Sequence, residues 1–429
     1  MRPGGRLAAA IEVLEDIERR HRPAADALKD WGLSHRFAGS GDRAAIGNIV
    51  YDALRRRRSA GWMLDGEDAR AVALGALLLE AGMTPDALDA TLAGDRFAPS
   101  PLSDAERAAF LSRDLADAPP AIAADVPDWC VPLMERMFGA EWPQEGRGLA
   151  QRPPLDMRVN TLLATPEQVL SELRGTGAAP CRLAPDGLRI PPIAGAGRHP
   201  NVQAEPAFQK GWFEIQDEGS QLAALLAGAA RGEQVLDYCA GAGGKTLALA
   251  AAMENTGQIV AHDSEKQRLA PIFDRLRRAG TCNVQVQASA EGLSDLAGRM
   301  DLVLIDAPCT GSGTWRRRPD AKWRLSPRQL EVRQREQADI LAAAARFVRP
   351  GGRLAYVTCS VFAEENGAQV DAFRAAHPAF RPVDHMARWH ERVPQGADAV
   401  RIDSAGGLCL TPARSGTDGF YFCLLERAE

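Results

Sequence analysis

The chain has 429 residues, 45% hydrophobic and 25% charged, with 51 Lys and Arg against 56 Asp and Glu for a formal charge of −5. That length fills two or three domains, and the composition excludes a coiled coil, a collagen-like chain and a disordered chain. The longest apolar stretches, around Ala71–Leu79 and Leu222–Ala230, are too short to cross a bilayer, and Met1–Arg20 is charged throughout, unlike a signal peptide, so a cytoplasmic protein without membrane contact is expected.

Residues 6 to 115 read as helices. Leu7, Ile11, Leu14 and Ile17 share one face at helical spacing. Gly41-Asp42-Arg43 precedes a second helix whose apolar face is Ile46, Ile49, Val50 and Leu54. Ala69–Ala81 and Ser103–Leu115 follow, the latter opening with the capping-box pattern Ser103-Asp-Ala-Glu106. The Pro- and Ala-rich stretch Asp117–Asp128 reads as a linker, and Trp129–Ala150 is helical again. From 155 to 215 short strands mix with one helix at Pro166–Leu173, which suggests a small α+β segment. From Gln216 onward the rhythm is strand, helix, strand. Val235–Tyr238, Gln258–His262, Asn283–Gln287, Asp301–Asp306 and Arg353–Thr358 are short apolar strands, and their alternation with helices implies a parallel, doubly wound sheet. Gly407–Leu410 and Gly419–Leu425 read as an antiparallel pair that finishes it.

The first of these strands runs into Asp237-Tyr-Cys-Ala-Gly-Ala-Gly-Gly-Lys-Thr246. A glycine-rich turn before a helix lets the backbone approach a ligand with N–H groups pointing at it. A phosphate-binding P-loop needs glycine where Cys239 stands, and a dinucleotide fingerprint needs glycine where Thr246 stands. An adenosyl ligand without a pyrophosphate asks for less, and Cys239, Ala240, Gly241, Ala242, Gly243, Gly244 and Lys245 are its candidate contacts. Asp263, 22 residues after Gly241 at the end of the second strand, is placed to accept from ribose hydroxyls; a helix cap before Ser264–Ala279 is its other reading.

The eight cysteines include no C-x-x-C pair and no His-Cys cluster with zinc spacing, so neither a disulfide scaffold nor a metal site is expected. Cys130, Cys181, Cys239, Cys282, Cys409 and Cys423 read as structural. Cys309 and Cys359 differ. The fourth strand ends in Asp306-Ala-Pro-Cys309 and the fifth in Thr358-Cys359-Ser360, so both thiols emerge at the carboxyl edge of the sheet, where ligands bind in open α/β folds. Two thiols there suit methylation of carbon 5 of cytosine. That carbon becomes nucleophilic only after a thiolate adds to carbon 6, and a base must then remove the carbon-5 proton. Asp306 is placed to orient the ring at N3 and the amino group.

Asp306-Ala-Pro-Cys309 together with Thr358-Cys359-Ser360 resembles the Sun/RsmB–NOP family of RNA cytosine-C5 methyltransferases. Gln216-Asp-Glu-Gly-Ser220, Trp315–Arg324, Glu364-Glu365-Asn366, Asp418-Gly-Phe-Tyr421 and Arg158-Val-Asn160 extend the resemblance over most of the chain. It implies S-adenosylmethionine as cofactor, Cys359 as nucleophile and Cys309 as the group that assists release, with Asp306 also at the cofactor. Arg36–Leu64 resembles the NusB-like RNA-binding domain found ahead of the bacterial RsmB catalytic domain. The sequence departs from the family at Ala242, where the loop usually has proline, and at Gln287-Ala-Ser-Ala290, where an aspartate usually stands near the adenine; Ser289 or a backbone amide is the substitute.

For RNA contact, Arg316, Arg317, Arg318, Lys322, Arg324 and Arg328 form a basic stretch interleaved with Trp315 and Trp323. Cations would meet phosphates and an indole could stack on a base; a solvated basic loop is the alternative. Arg55–Arg58 is a second basic run, at a helix end where it also complements the dipole. The expected architecture is multi-domain: an all-α NusB-like RNA-binding domain at 1–125, an α+β segment at 126–215 and a Rossmann-like class I methyltransferase domain with a mostly parallel sheet at 216–429. The expected partner is RNA, ribosomal first and transfer RNA as alternative, for a monomer that needs neither metal nor membrane. A non-catalytic RNA-binding assembly factor of the same fold is the rival that retention of both cysteines opposes.

Overall fold

The computed structural model describes residues 1–195 and 197–429. Two compact units result. The first comprises Met1–Pro153, Pro192–His199 and Thr314–Leu325; the second comprises Pro154–Pro191, Pro200–Gly313 and Ser326–Glu429.

The first unit is helical. Helices Pro3–Arg20, Ser40–Arg55 and Ala69–Ala81 bury Leu7, Leu14, Ile17, Ile46, Val50, Leu54, Leu74 and Leu78 in one core. The heptad-like spacing of these residues is the stripe that drives the helices together. Ala69–Ala81 packs closely on Arg57–Leu64 because Gly75 has no side chain: a Cβ there would stand 2.5 Å from the Ala60 carbonyl oxygen. Ser103 and Glu106 form the expected capping box. Helix Ala24–Ser34 was not legible in the sequence, and Gly41-Asp42-Arg43 lies inside the helix that begins at Ser40.

The stretch expected to be a linker, Asp117–Asp128, is instead a packed turn. Asp125 is fully buried, and its carboxylate accepts from the Arg58 N–H at 2.9 Å, the Ser59 N–H at 3.0 Å and the Ser59 hydroxyl at 2.7 Å. These donors lie in the first turn of Arg57–Leu64, which has no side-chain cap of its own, so Asp125 satisfies orphan amides and complements the helix dipole. Helix Trp142–Leu149 closes over the same turn, where a Cβ at Gly146 would meet Val126 at 2.7 Å. Residues 126–153 therefore pack within the helical unit, whose longest stretch ends at Pro153.

The second unit contains two sheets. In the smaller, β1 (Leu155–Val159), β2 (Ala179–Pro180), β3 (Gly187–Ile190) and β4 (Phe213–Ile215) run antiparallel in the order β2-β3-β1-β4. Helix Pro166–Glu172, opened by a Thr165/Gln168 capping box, accompanies them. The larger sheet contains β5 (Gln234–Asp237), β6 (Gln258–His262), β7 (Val284–Gln287), β8 (Met300–Asp306), β9 (Val348–Thr358), β10 (Phe380–Pro382), β11 (Arg401–Ile402), β12 (Leu408–Leu410) and β13 (Phe420–Arg427). Its order is β11-β12-β13-β9-β8-β5-β6-β7, with β10 also on β13. Strands β9, β8, β5, β6 and β7 are parallel, and β13 pairs antiparallel with β9. This is the Rossmann-like sheet expected of the sequence. Leu302 to Ile305 of β8 are wholly buried, as an unbroken apolar run covered on both faces should be. The chain turns one way from β5 to β6 and the other way to β8, so the switch point of the sheet lies between β5 and β8.

Asp125→Ala would leave the buried Ser59 amide and the part-buried Arg58 amide without their acceptor and the Ser59 hydroxyl with only the Arg56 carbonyl at 3.3 Å. The expected loss is about 3 kcal/mol of folding stability, read from the urea midpoint; an unchanged midpoint would contradict the capping role.

Candidate active site

The glycine turn follows β5. Gly241 and Gly243 have positive φ of 51° and 83°, and a Cβ on Gly243 would stand 2.5 Å from the Ile272 side chain. Gly243 caps helix Gly244–Ala252, whose first N–H groups face the carboxyl edge of the sheet. The loop is tied to β6 by the Ala240 N–H, which donates to the His262 carbonyl at 2.8 Å. Asp263, buried just beyond β6, accepts from the Gly241 N–H at 3.0 Å and from the Glu265 N–H at 2.9 Å. It therefore holds the loop and the following turn, but does not cap a long helix: the segment expected as Ser264–Ala279 is two short helices, Lys266–Leu269 and Ile272–Arg278, separated at Pro271.

Behind the turn, Asp237 is fully buried. The Thr246 hydroxyl donates to one of its oxygens at 2.7 Å, and the other has no partner among the described residues. Burial pushes this carboxyl up to about 7. Lys245 is also buried and donates to Asp306 at 2.7 Å, while its ammonium lies 5.3 Å from the Phe420 ring centre. Lys245 thus joins the cofactor loop to the end of β8 and anchors one oxygen of Asp306. Cys239 is half-buried, and burial holds its thiol well above the ordinary range. Ser289 is exposed and caps the turn Ala290–Leu296 through the Glu291 N–H.

Parallel pairing sets Asp306 opposite Val357, so the chain leaves β8 and β9 side by side. Cys309 and Cys359 meet there with their sulfurs 3.4 Å apart. The hydrogen bond to Cys359, then burial, then the charges of Cys359 and Glu365 push the Cys309 thiol well above its ordinary value. Around the pair, the Gly313 N–H donates to the Cys359 carbonyl at 2.9 Å, and the Ser312 and Ser360 hydroxyls are 2.9 Å apart. Asn366 donates to the Ser360 carbonyl at 3.0 Å and accepts from the Thr358 hydroxyl at 2.6 Å. Two contributors were missed in the sequence as site residues, Glu365 and Gln337. Gln337 had a signal: it is the polar member of an otherwise apolar buried stripe with Leu330, Leu341 and Ala344 on helix Pro327–Ala345.

The basic stretch has a different placement. Arg316 to Arg324 lie in the helical unit. Lys322 is 1% exposed, and burial pushes its ammonium down to about 8. Arg316 is buried and its carbonyl accepts from Arg55 at 2.8 Å. The Trp323 indole N–H donates to the Leu54 carbonyl at 2.6 Å, an orphan acceptor at a helix end. Arg324 pairs with Asp320 at 2.7 Å. Lys322 and Arg316 are therefore withdrawn from solvent, and of the stretch Arg318 and Arg328 are exposed and Arg317 and Arg324 half-exposed. In the second basic run, Arg55, Arg56, Arg57 and Arg58 pair with Asp52, Glu80, Glu18 and Asp128.

The sequence profile of the family described as 16S rRNA methyltransferase RsmB/F matches residues 224–426, and that of the RsmF/B-like ferredoxin-like domain matches residues 126–192. A probable ribosomal RNA small subunit methyltransferase B from Synechocystis sp. is 32% identical over 309 residues, which is 70% of this chain and 67% of that protein. The chain belongs to the RsmB/F family. Coverage of its relatives is partial: the ribosomal RNA small subunit methyltransferase B of Citrobacter koseri is 33% identical over 59% of this chain and 58% of its own length. The crystal structure of PH0851 shares the fold with a TM-score of 0.72 and 25% identity, covering 100% of this chain and 99% of that one. Within this RsmB/F chain, the segment matched by the ferredoxin-like profile includes β1, β2 and β3 of the smaller sheet.

Asp237 supplies a pH test of the site. Its folded value of about 7 lies above the ordinary 3.8, so folded protein keeps a proton that unfolded chain gives up. This contribution to stability is full below about 4 and is lost as pH rises through about 7. Asp237→Asn should remove that loss, so its stability relative to wild type should improve between pH 5 and pH 8 in urea unfolding. An equal difference at both pH values would contradict the assignment.

Proposed function

We propose that this chain transfers a methyl group from S-adenosylmethionine to carbon 5 of a cytosine in 16S ribosomal RNA, with Cys359 as nucleophile and Cys309 as the base that releases product. The observation that carries this reading is the thiol pair, 3.4 Å apart at the carboxyl ends of two adjacent parallel strands, beside a glycine turn that fits an adenosyl ligand.

The residues around that turn suit the cofactor. Gly241 and Gly243 open the backbone, Asp263 offers a buried carboxylate at the ribose position, and Asp237 has an oxygen without a partner. S-adenosylmethionine supplies an electrophilic methyl group for carbon 5. The Cys359 thiolate adds to carbon 6, which moves the ring electrons toward carbon 5 and leaves negative charge to be neutralised at N3. Asp306, with one oxygen anchored by Lys245, keeps the other for the base's polar edge. After methylation the Cys309 thiolate takes the carbon-5 proton, the double bond re-forms and the Cys359 thiolate departs. Burial and the charge of Glu365, which raise the proton affinity of Cys309, favour that capture.

Membership of the RsmB/F family supports ribosomal RNA as substrate, and the helical unit is read as the NusB-like RNA-binding part. The cytosine must be unstacked to reach the thiols. Arg318 and Arg328 are the exposed cations of the stretch that would meet phosphate.

The test is methyl transfer from labelled S-adenosylmethionine to unmodified 16S ribosomal RNA, with the product mapped as 5-methylcytosine. Wild type should label one cytosine and Cys359→Ala should lose more than a thousandfold in rate. Substantial activity in Cys359→Ala would reject it as nucleophile, and labelling of transfer RNA alone would replace the substrate.

A further inference from the structure

The loops behind the two cysteines converge on one side chain. Glu365 is wholly buried. One carboxylate oxygen accepts from the Thr310 N–H at 2.8 Å and from the Gln337 amide at 3.0 Å. The other accepts from the Thr310 hydroxyl at 2.5 Å and from the Ser360 hydroxyl. Thr310 is the residue after Cys309, and Ser360 is the residue after Cys359. Gln337 tightens the same knot, since its amide also donates to the Pro308 carbonyl at 2.9 Å, on the other side of Cys309.

A neutral glutamine would accept several of these bonds, and burying a carboxylate is costly. All four donors named are neutral, so none of them cancels the charge, and the field of Glu365 reaches Cys309. A carboxylate at this place therefore does two separable things. It joins the loops, and it disfavours a second negative charge beside it.

We propose that Glu365 is the positioning residue of the thiol pair: by holding Thr310 and Ser360 at once it keeps Cys309 and Cys359 at reaction distance, and its charge sets the pH range in which Cys309 releases product. The second half rests on the methyltransferase reading; the first does not.

Two variants separate the two roles. Glu365→Gln keeps the shape and can keep the ties, because the Thr310 and Ser360 hydroxyls can turn to accept; it removes the charge. Glu365→Ala removes both. Thiol separation is read first, on the full chain, with dithiodipyridine. One cysteine thiolate attacks the reagent's disulfide and releases a thiopyridone, and the second thiolate displaces the other thiopyridone. The two thiols are oxidised to a Cys309–Cys359 disulfide, the reagent is reduced, and peptide mass spectrometry reads the link. Glu365→Gln, with the charge gone and the ties kept, should form it at least as fast as wild type, and folded Glu365→Ala should form it at least tenfold more slowly than Glu365→Gln. Should Glu365→Ala fail to fold, Thr310→Val with Ser360→Ala cuts both hydroxyl ties and should show the same loss. Cross-linking as fast as Glu365→Gln in folded Glu365→Ala, or in the folded Thr310→Val/Ser360→Ala variant, overturns the positioning role.

The charge is read from the pH profile of methyl transfer. Without it, Cys309 gives up its proton more readily, so the limb that needs its thiolate should move to lower pH in Glu365→Gln. A superimposable profile overturns that half of the proposal. If wild type methylates no cytosine at any pH, the methyltransferase reading fails, and with it the charge role, while the cross-linking result still decides the tie.

Discussion

The parallel pairing of β8 with β9 is the constraint on which the site depends. Neither cysteine is remarkable alone: each follows a short apolar strand at the end of a covered sheet. Because the strands are hydrogen-bonded in register, with Asp306 beside Val357, their two exits share one edge and the sulfurs come within 3.4 Å. The antiparallel pairing of β13 with β9 over six residue pairs, Tyr421 to Glu426, braces the outer side of this arrangement. On the inner side β5 delivers the glycine turn, and Lys245 crosses to Asp306.

Buried carboxylates recur as ties in both units, each in a place where the backbone alone leaves donors unmet. Asp125 serves the first turn of an uncapped helix. Asp263 holds the glycine turn against β6, and Glu365 holds the two cysteine loops. Burying such groups is costly unless several donors meet them, and each of these three meets at least two. Asp237 is different: one oxygen has no partner among the described residues and its proton affinity is high.

Much of the fold was legible because its signals are local. The apolar runs that became β5 to β8 sit within a residue or two of their expected bounds, and the capping pattern at Ser103 and the proline at 166 lie at real helix starts. Errors arose where a local signal misleads. The strand expected at Arg353–Thr358 begins earlier, at Val348, and runs through Pro350-Gly351-Gly352. Pro271 breaks a stretch whose apolar spacing looks continuous. The basic stretch misled most: a run of Arg and Lys reads as solvated, whereas Lys322 and Arg316 are buried in the helical unit. Nothing near residue 322 announces that its neighbourhood includes Asp125. Cys309 and Cys359 could be found because strand ends in an open α/β sheet are privileged positions. Glu365 could be seen but not assigned, because its role is a long-range convergence of Thr310, Gln337 and Ser360.

The central claim is that the two thiols divide attack and release between them. A denaturing gel of Cys309→Ala incubated with unmodified ribosomal RNA and S-adenosylmethionine tests it most directly. With attack intact and the base removed, a protein–RNA adduct should accumulate and survive denaturation, while Cys359→Ala should form none. An adduct with Cys359→Ala and none with Cys309→Ala would contradict the assignment, exchanging the two roles; no adduct with either, while wild type still methylates, would contradict release by a thiol.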